Sequence, residues 1–270
     1  MSAPEEGQNG TRLAAGGGVE KQDTPLRNLK MVIEYDGSCY CGWQRQHNGV
    51  AIQQLLEEAV ATITCVPTTV FGSGRTDAGV HAIGQVANFR TRARIPLPSF
   101  LKGLNSLLPA DIAVKELEEV QPDFHARYSA YSKVYRYQIW NQPLRAPLLR
   151  NFTWFVHVPL EVTHMEEALS LLRGRHDFSA FCAAGDESAS RVRNILAAEI
   201  ARDPGGMLRI EIEADGFLRH MVRNIVGTLV EVGRGKRLAV QMSALIACRD
   251  RRQAGVTAPP QGLFLLRVNY

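Results

Sequence analysis

Lysine is scarce in this chain, and arginine supplies most of its 31 basic residues, set against 27 acidic ones for a net charge of +4. Planar guanidinium forks suit bidentate contact with phosphate better than ammonium groups do. Base composition of the genome can produce the same enrichment, so charge alone leaves an anionic partner open. Long apolar runs are missing too. No stretch approaches the roughly 20 residues that a membrane-crossing helix needs, so no membrane association is expected. Cysteine is sparse: Cys39, Cys41, Cys65, Cys182 and Cys248 make an odd number at irregular spacing. With no signal-peptide pattern ahead of them, they argue against a disulfide framework and predict a cytoplasmic protein. The close pair Cys39 and Cys41, followed by His47, lacks a second pair at zinc-finger spacing, so no metal site is expected. Neither the lysine and hydroxyl residue of a triphosphate-cradling loop nor a dinucleotide fingerprint occurs, and no cofactor is expected.

What is present reads as mixed α and β structure. At 270 residues the chain fits one large domain or two of ordinary size. Residues 1–28 are rich in glycine and polar side chains and predict a disordered tail, with too many acidic residues for an organellar transit peptide. Then "LKMVIEYDG" reads as a strand entering a turn, and "GVAIQQLLEEAVATI" sets Ile52, Leu55, Leu56, Ala59, Val60 and Ile63 on one helical face. Strand, glycine-rich loop and strand follow in "TTVFGSGRTDAGVHAIGQVANFR", then a short helix in "PSFLKGLNSLLP" and a strand in "DIAVKELEEV". The second half repeats this grammar. "SKVYRYQIWN" is a strand, "THMEEALSLLRG" a helix capped by Thr163 and stopped by Gly174, and "VRNILAAEIARDPGGMLRIEIEAD" a hairpin. "FLRHMVRNIVGTLVEVGRG" is a helix with Arg219 and Arg223 on one stripe. Two such units predict two packed αβ sandwiches meeting near "FHARYSAYSK".

Three segments could carry chemistry. "GSGRTDAGVHA" holds Asp77 on a glycine-flanked turn between strands, and Arg75 stands two residues before it. An arginine beside an aspartate favours the charged carboxylate, a candidate nucleophile or general base. A turn whose aspartate bonds its own backbone fits the same letters. In "YSAYSKVYRYQIWN", strand alternation would put Tyr131, Lys133, Tyr135 and Tyr137 on one face and Arg136 on the other. Such a face suits stacked bases, and equally a packed sheet. In "FLRHMVRNIVG", the arginines and histidine could be a wet helix face. Arg223 between Val222 and Ile225 is the one that could be buried, and a buried arginine wants a carboxylate such as Asp77.

Together these segments resemble the A-type tRNA pseudouridine synthases. The likeness runs from Lys30 to Tyr270 through "IEYDGSCYCGWQRQ", "GSGRTDAGVHAIGQV", "DFHARYSA", "YRYQIWN", "HDFSAF", "MVRNIVGTLVEVG" and "GLFLLRV". The resemblance implies Asp77 as the catalytic residue and three substrate-binding residues. Arg75 would displace the target base and occupy its space, Tyr135 would pack on the uracil, and Arg223 would pair with Asp77. It implies an α/β (α+β) fold of two RNA-recognition-module-like domains, 29–128 and 129–270. Their sheets would join into one long, mainly antiparallel sheet with the cleft at the junction. It also implies a homodimer that isomerises uridines 38, 39 and 40 in the anticodon arm of tRNA. The tail and the segment "CAAGDESASRVRN" (182–194) depart from the shared pattern. A noncatalytic RNA-binding protein on the same fold is the alternative.

Overall fold

Alternation of apolar side chains sets the strands. The computed structural model describes residues 25–186 and 188–270, and its first strand, β1 (Arg27–Tyr35), buries Leu29, Met31, Ile33 and Tyr35, every second residue. Helix α1 (Ile52–Thr64) buries Ile52, Leu56, Ala59 and Val60, the spacing of one helical face. Next come β2 (Phe71–Gly72) and β3 (His81–Thr91), helix α2 (Leu97–Leu107), which buries Phe100 and Leu104, and β4 (Ile112–Val120). The second half contributes β5 (Ser132–Trp140), β6 (Trp154–Phe155), α3 (Val162–Ser170) and β7 (Gly174–Asp177). The hairpin β8 (Val192–Arg202) and β9 (Met207–Ala214), helices α4 (Met221–Gly233) and α5 (Gln241–Cys248), and β10 (Leu263–Asn269) complete it.

All ten strands belong to one mixed sheet, ordered β4-β1-β3-β10-β5-β9-β8-β7, with β2 beside β3 and β6 beside β5. Pairing is antiparallel except for β10 with β3 and β6 with β5. The strand nearest the C-terminus therefore lies in the middle: β10 pairs with β3 through Phe264 and Leu265 on one side and with the length of β5 on the other. Helices α1 and α2 pack together beside β4, and α3 and α4 pack together over β8 and β5. Helix α4 is buried on nearly its whole circumference, including Asn224 and Thr228. Its side chain at 227 must be hydrogen, because a Cβ there would meet the Val256 carbonyl oxygen at 1.7 Å.

Several local expectations change. Most of the expected tail lies outside the described residues, but Arg27 and Asn28 already belong to β1, and Asn28 is buried with its amide bonded to the Gln121 and Phe124 carbonyls. Helix α3 is capped at Glu161, with Thr163 inside it, and it ends at Ser170 because Leu171 and Leu172 turn back before Gly174 opens β7. Helix α4 begins at Met221, so Arg219 is not on its surface. Tyr131 precedes β5 and is 61% exposed, so it does not share the buried face of Tyr135 and Tyr137.

Candidate active site

The loop between β2 and β3 is pinned through its backbone. Ser73 N–H donates to Val86 O (2.7 Å), and the Ser73 hydroxyl donates to Gln85 Oε1 (2.7 Å). Gln85 Nε2 in turn donates to Gly74 O (3.0 Å), and Lys133 Nζ, reaching across from β5, donates to Ser73 O (2.5 Å). At the far end the Thr76 carbonyl accepts from Trp43 N–H at 3.0 Å, and the Thr76 hydroxyl bonds the buried Tyr35 phenol at 2.8 Å. The chain at 42 passes so close behind the loop that a Cβ would sit 2.5 Å from the Thr76 oxygen. Its φ of +92° also calls for the glycine that is there. The "GW" of "CGWQRQ" is thus the back wall of the Asp77 turn.

On this fixed loop the Asp77 carboxylate meets α4. Arg223 Nη1 donates to Asp77 Oδ2 at 3.0 Å, and Arg223 Nε donates to the Ala258 carbonyl at 2.7 Å, while Ala258 N–H returns a bond to the Arg223 carbonyl at 3.1 Å. The guanidinium side chain is 12% exposed, so removing its carboxylate would leave a buried charge unpaired, typically a loss of about 3–5 kcal/mol. His220 Nε2 lies 3.3 Å from the same Oδ2. Among the described residues no donor reaches Asp77 Oδ1. One carboxylate oxygen thus takes the Arg223 hydrogen bond with the His220 ring close by, and the other takes none among the described residues.

His220 was missed in the sequence because its position depends on an unusual backbone. It stands just before α4 with φ +61°, the left-handed region, at a cost of about 1 kcal/mol for a residue with a Cβ. Neighbouring bonds hold it there: Arg219 N–H donates to Asp186 Oδ2 at 2.8 Å, and Ala183 N–H donates to Arg219 O at 3.0 Å. Burial lowers the affinity of the His220 imidazole for a proton. Asp77 opposes this, and Arg223, Arg219 and Arg251 reinforce it. The segment 182–186 therefore serves α4 and its cap.

Tyr135 is buried on β5, and its ring meets Phe217 edge-on at 4.9 Å. Burial raises its phenol well above the ordinary value, with Tyr35 and the Asp77 charge adding to the effect. It therefore stands on β5 as a neutral ring. Arg75 is exposed and does not pair with Asp77. Its Nε donates instead to Gln44 Oε1 at 3.1 Å, because the chain turns between positions 75 and 77 and Arg223 occupies the carboxylate. Lys133, unassigned in the sequence beyond its face, is drawn under the loop. Burial, with Arg127 and Arg193, lowers its pKa to about 8.

The chain matches the family model described as tRNA pseudouridine synthase over residues 31–129 and 168–270. It is 47% identical over 242 residues to the tRNA pseudouridine synthase A of Syntrophotalea carbinolica, covering 90% of this chain and 96% of that one. Against the protein of the same name from Geobacter sp. strain M21 it is 47% identical over 246 residues, 91% and 99% of the two chains. The corresponding Thermoanaerobacter sp. protein is 45% identical over 245 residues, 91% and 100% of the two chains.

Proposed function

The chain belongs to the tRNA pseudouridine synthase family, and from that membership we propose how its cleft acts on uridine in tRNA. The protein is an isomerase that converts uridine to pseudouridine. The bond from N1 of uracil to C1′ breaks, the base turns, C5 joins C1′, and the hydrogen on C5 leaves. No group is transferred and no net oxidation occurs.

Asp77 is the catalytic residue. Its Oδ1 either attacks the nucleoside covalently or removes a sugar proton so that a glycal forms. Both routes need a carboxylate oxygen without a protein donor, and Oδ1 is that oxygen. This observation carries the reading. Arg223 fixes the carboxylate through Oδ2, and its second bond, to Ala258, fixes the guanidinium in turn. Tyr135 supports the flipped uracil from below as a neutral phenol. Arg75, exposed and tethered through Gln44, enters the space that the base leaves, which offsets a few kcal/mol of lost stacking.

The substrate uridines are 38, 39 and 40 of the anticodon arm, and the working unit is a cytoplasmic homodimer that holds tRNA across both subunits. Each chain has two αβ modules, 29–128 and 129–270, with the cleft between them. The strand order supports this division, since β4, β1 and β3 stand on one side of β10 and β5, β9, β8 and β7 on the other.

The test is tritium release from unmodified tRNA labelled at uracil C5, followed by mapping of the modified positions. Wild type should release the label and Asp77→Asn should not, with both binding tRNA. Binding without release by wild type would favour a noncatalytic RNA-binding protein. Free uracil as product would mean a glycosidase.

A further inference from the structure

Leading into the loop from β2 stands a group of rings that the isomerisation does not use. Phe71, at the start of β2, leads directly into the catalytic loop and is 44% exposed. Its ring centroid lies 5.3 Å from that of His125, which lies 4.4 Å from that of Tyr128. Tyr128 is 77% exposed, and the Arg127 guanidinium lies 5.7 Å from its ring centre. Arg127 has no carboxylate partner among the described residues. Through Phe71, whose strand runs into Ser73, the ring group is joined to the catalytic loop.

The group is held from below. Asn28 and Asn88 form a buried pair at 2.9 Å. Asn28 takes the Gln121 and Phe124 carbonyls, and Asn88 takes Ala126 N–H. His125 is fixed further, with its N–H on the Ser129 hydroxyl and its Nδ1 accepting from Arg127 N–H at 3.1 Å. That last bond puts the remaining ring proton on Nε2, and burial together with Arg127 keeps the imidazole neutral. Exposed rings usually lack such a scaffold. Here two buried amides hold the 121–126 turn that carries His125, and a guanidinium with no carboxylate partner among the described residues lies over the Tyr128 ring. Aromatic faces beside arginine are what unstacked bases bind.

We propose that Phe71, His125 and Tyr128 form a second nucleobase site, which stacks an unpaired base of the tRNA outside the catalytic cleft while Arg127 meets an adjoining phosphate. The proposal rests on the tRNA reading above. The site has no part in bond breaking. It fixes the register of the RNA, so that one uridine at a time lies over Asp77.

The experiment uses anticodon-arm RNA with 2-aminopurine at each unpaired position in turn. Wild type and Asp77→Asn should quench the fluorescence at the same one position, by stacking. Tyr128→Ala should lose that quench and bind the RNA roughly tenfold more weakly. Its kcat at saturating tRNA should stay within about twofold of wild type while KM rises. Tyr128→Phe should restore both quench and affinity, which a charge or folding effect would not explain. Arg127→Gln should weaken binding and flatten its salt dependence. Unchanged quench and affinity in Tyr128→Ala, or an equal loss in Tyr128→Phe, would overturn the proposal. If wild type neither binds tRNA nor releases tritium from it, the functional reading itself fails, and the second site with it.

Discussion

Lys133 Nζ lies 2.5 Å from the carbonyl oxygen of Ser73, so a buried ammonium on β5 grips the loop that carries Asp77. Among the described residues this cation has no carboxylate bound to it. It spends folding stability to hold a backbone group in place.

Replacing it should separate stability from activity. Burial holds Lys133 at about 8 against an ordinary value of 10.5, so across that window the unfolded chain binds a proton that the folded one has lost. Stability from this group therefore rises with pH between about 8 and 10.5. Lys133→Met should be more stable at pH 7 by about 1–2 kcal/mol and lack that rise, while kcat falls about tenfold. Urea unfolding at pH 7 and 9.5 checks the first part and single-turnover kinetics the second.

Arg223 makes two directed bonds at once, to Asp77 and to Ala258. A lysine has one compact head and cannot satisfy both. Arg223→Lys should lower kcat by about a hundredfold with little change in KM. A matching rise in KM would mean that the residue serves binding instead.

His220 combines a strained backbone with a contact to Asp77, and two substitutions can part them. His220→Gly should be about 1 kcal/mol more stable than His220→Ala, since only glycine adopts φ +61° freely. If the contact at 3.3 Å matters, both should lose the same turnover. Because the folded imidazole is held below 6.5, its contribution to stability is complete above that pH and is lost as pH falls. His220→Gln should therefore have a shallower acid limb in its pH-stability profile.

Among the described residues the Tyr135 hydroxyl has no hydrogen-bond partner, and its ring meets Phe217 edge-on, so Tyr135→Phe should leave the melting temperature unchanged. Its turnover should fall by more than tenfold while tRNA affinity stays within twofold. Equal losses in both would remove the hydroxyl from the reaction. Since the phenol is raised by burial, the pH-rate profile should keep its shape in the variant.

Much of this molecule was legible in the sequence because its signals are local. Alternation in "LKMVIEY" and "SKVYRYQIW" marked β1 and β5, helical spacing marked α1, and "DPGG" marked the turn between β8 and β9. The glycine-flanked loop announced an unusual Asp77. Other features were hidden because they depend on remote partners. Asp77 and Arg223 stand 146 residues apart, and hydrophobic pattern alone suggested the pair without fixing it. His220 read as an ordinary helical residue, since nothing nearby declares a left-handed turn imposed by Asp186 from another segment. Arg75 was expected to favour the charged form of Asp77 from two residues away, and its bond to Gln44, 31 positions back along the chain, had no signal in the sequence.

The central place of β10 bears on how the cleft comes into being during synthesis. In the sheet, β10 lies between the strand that follows the Asp77 loop and the strand that carries Tyr135, and bonds to each. The ribosome makes β10 after all the other described strands. A nascent chain can thus fold both flanks of its sheet while the backbone ladder that joins the carboxylate's side to the tyrosine's is still unmade. Joining them closes the longest loops in the protein, a slow, entropically costly step. A ribosome that stalls short of position 263 would release a protein with its parts formed and its cleft unassembled, unable to act on the tRNA used to make it.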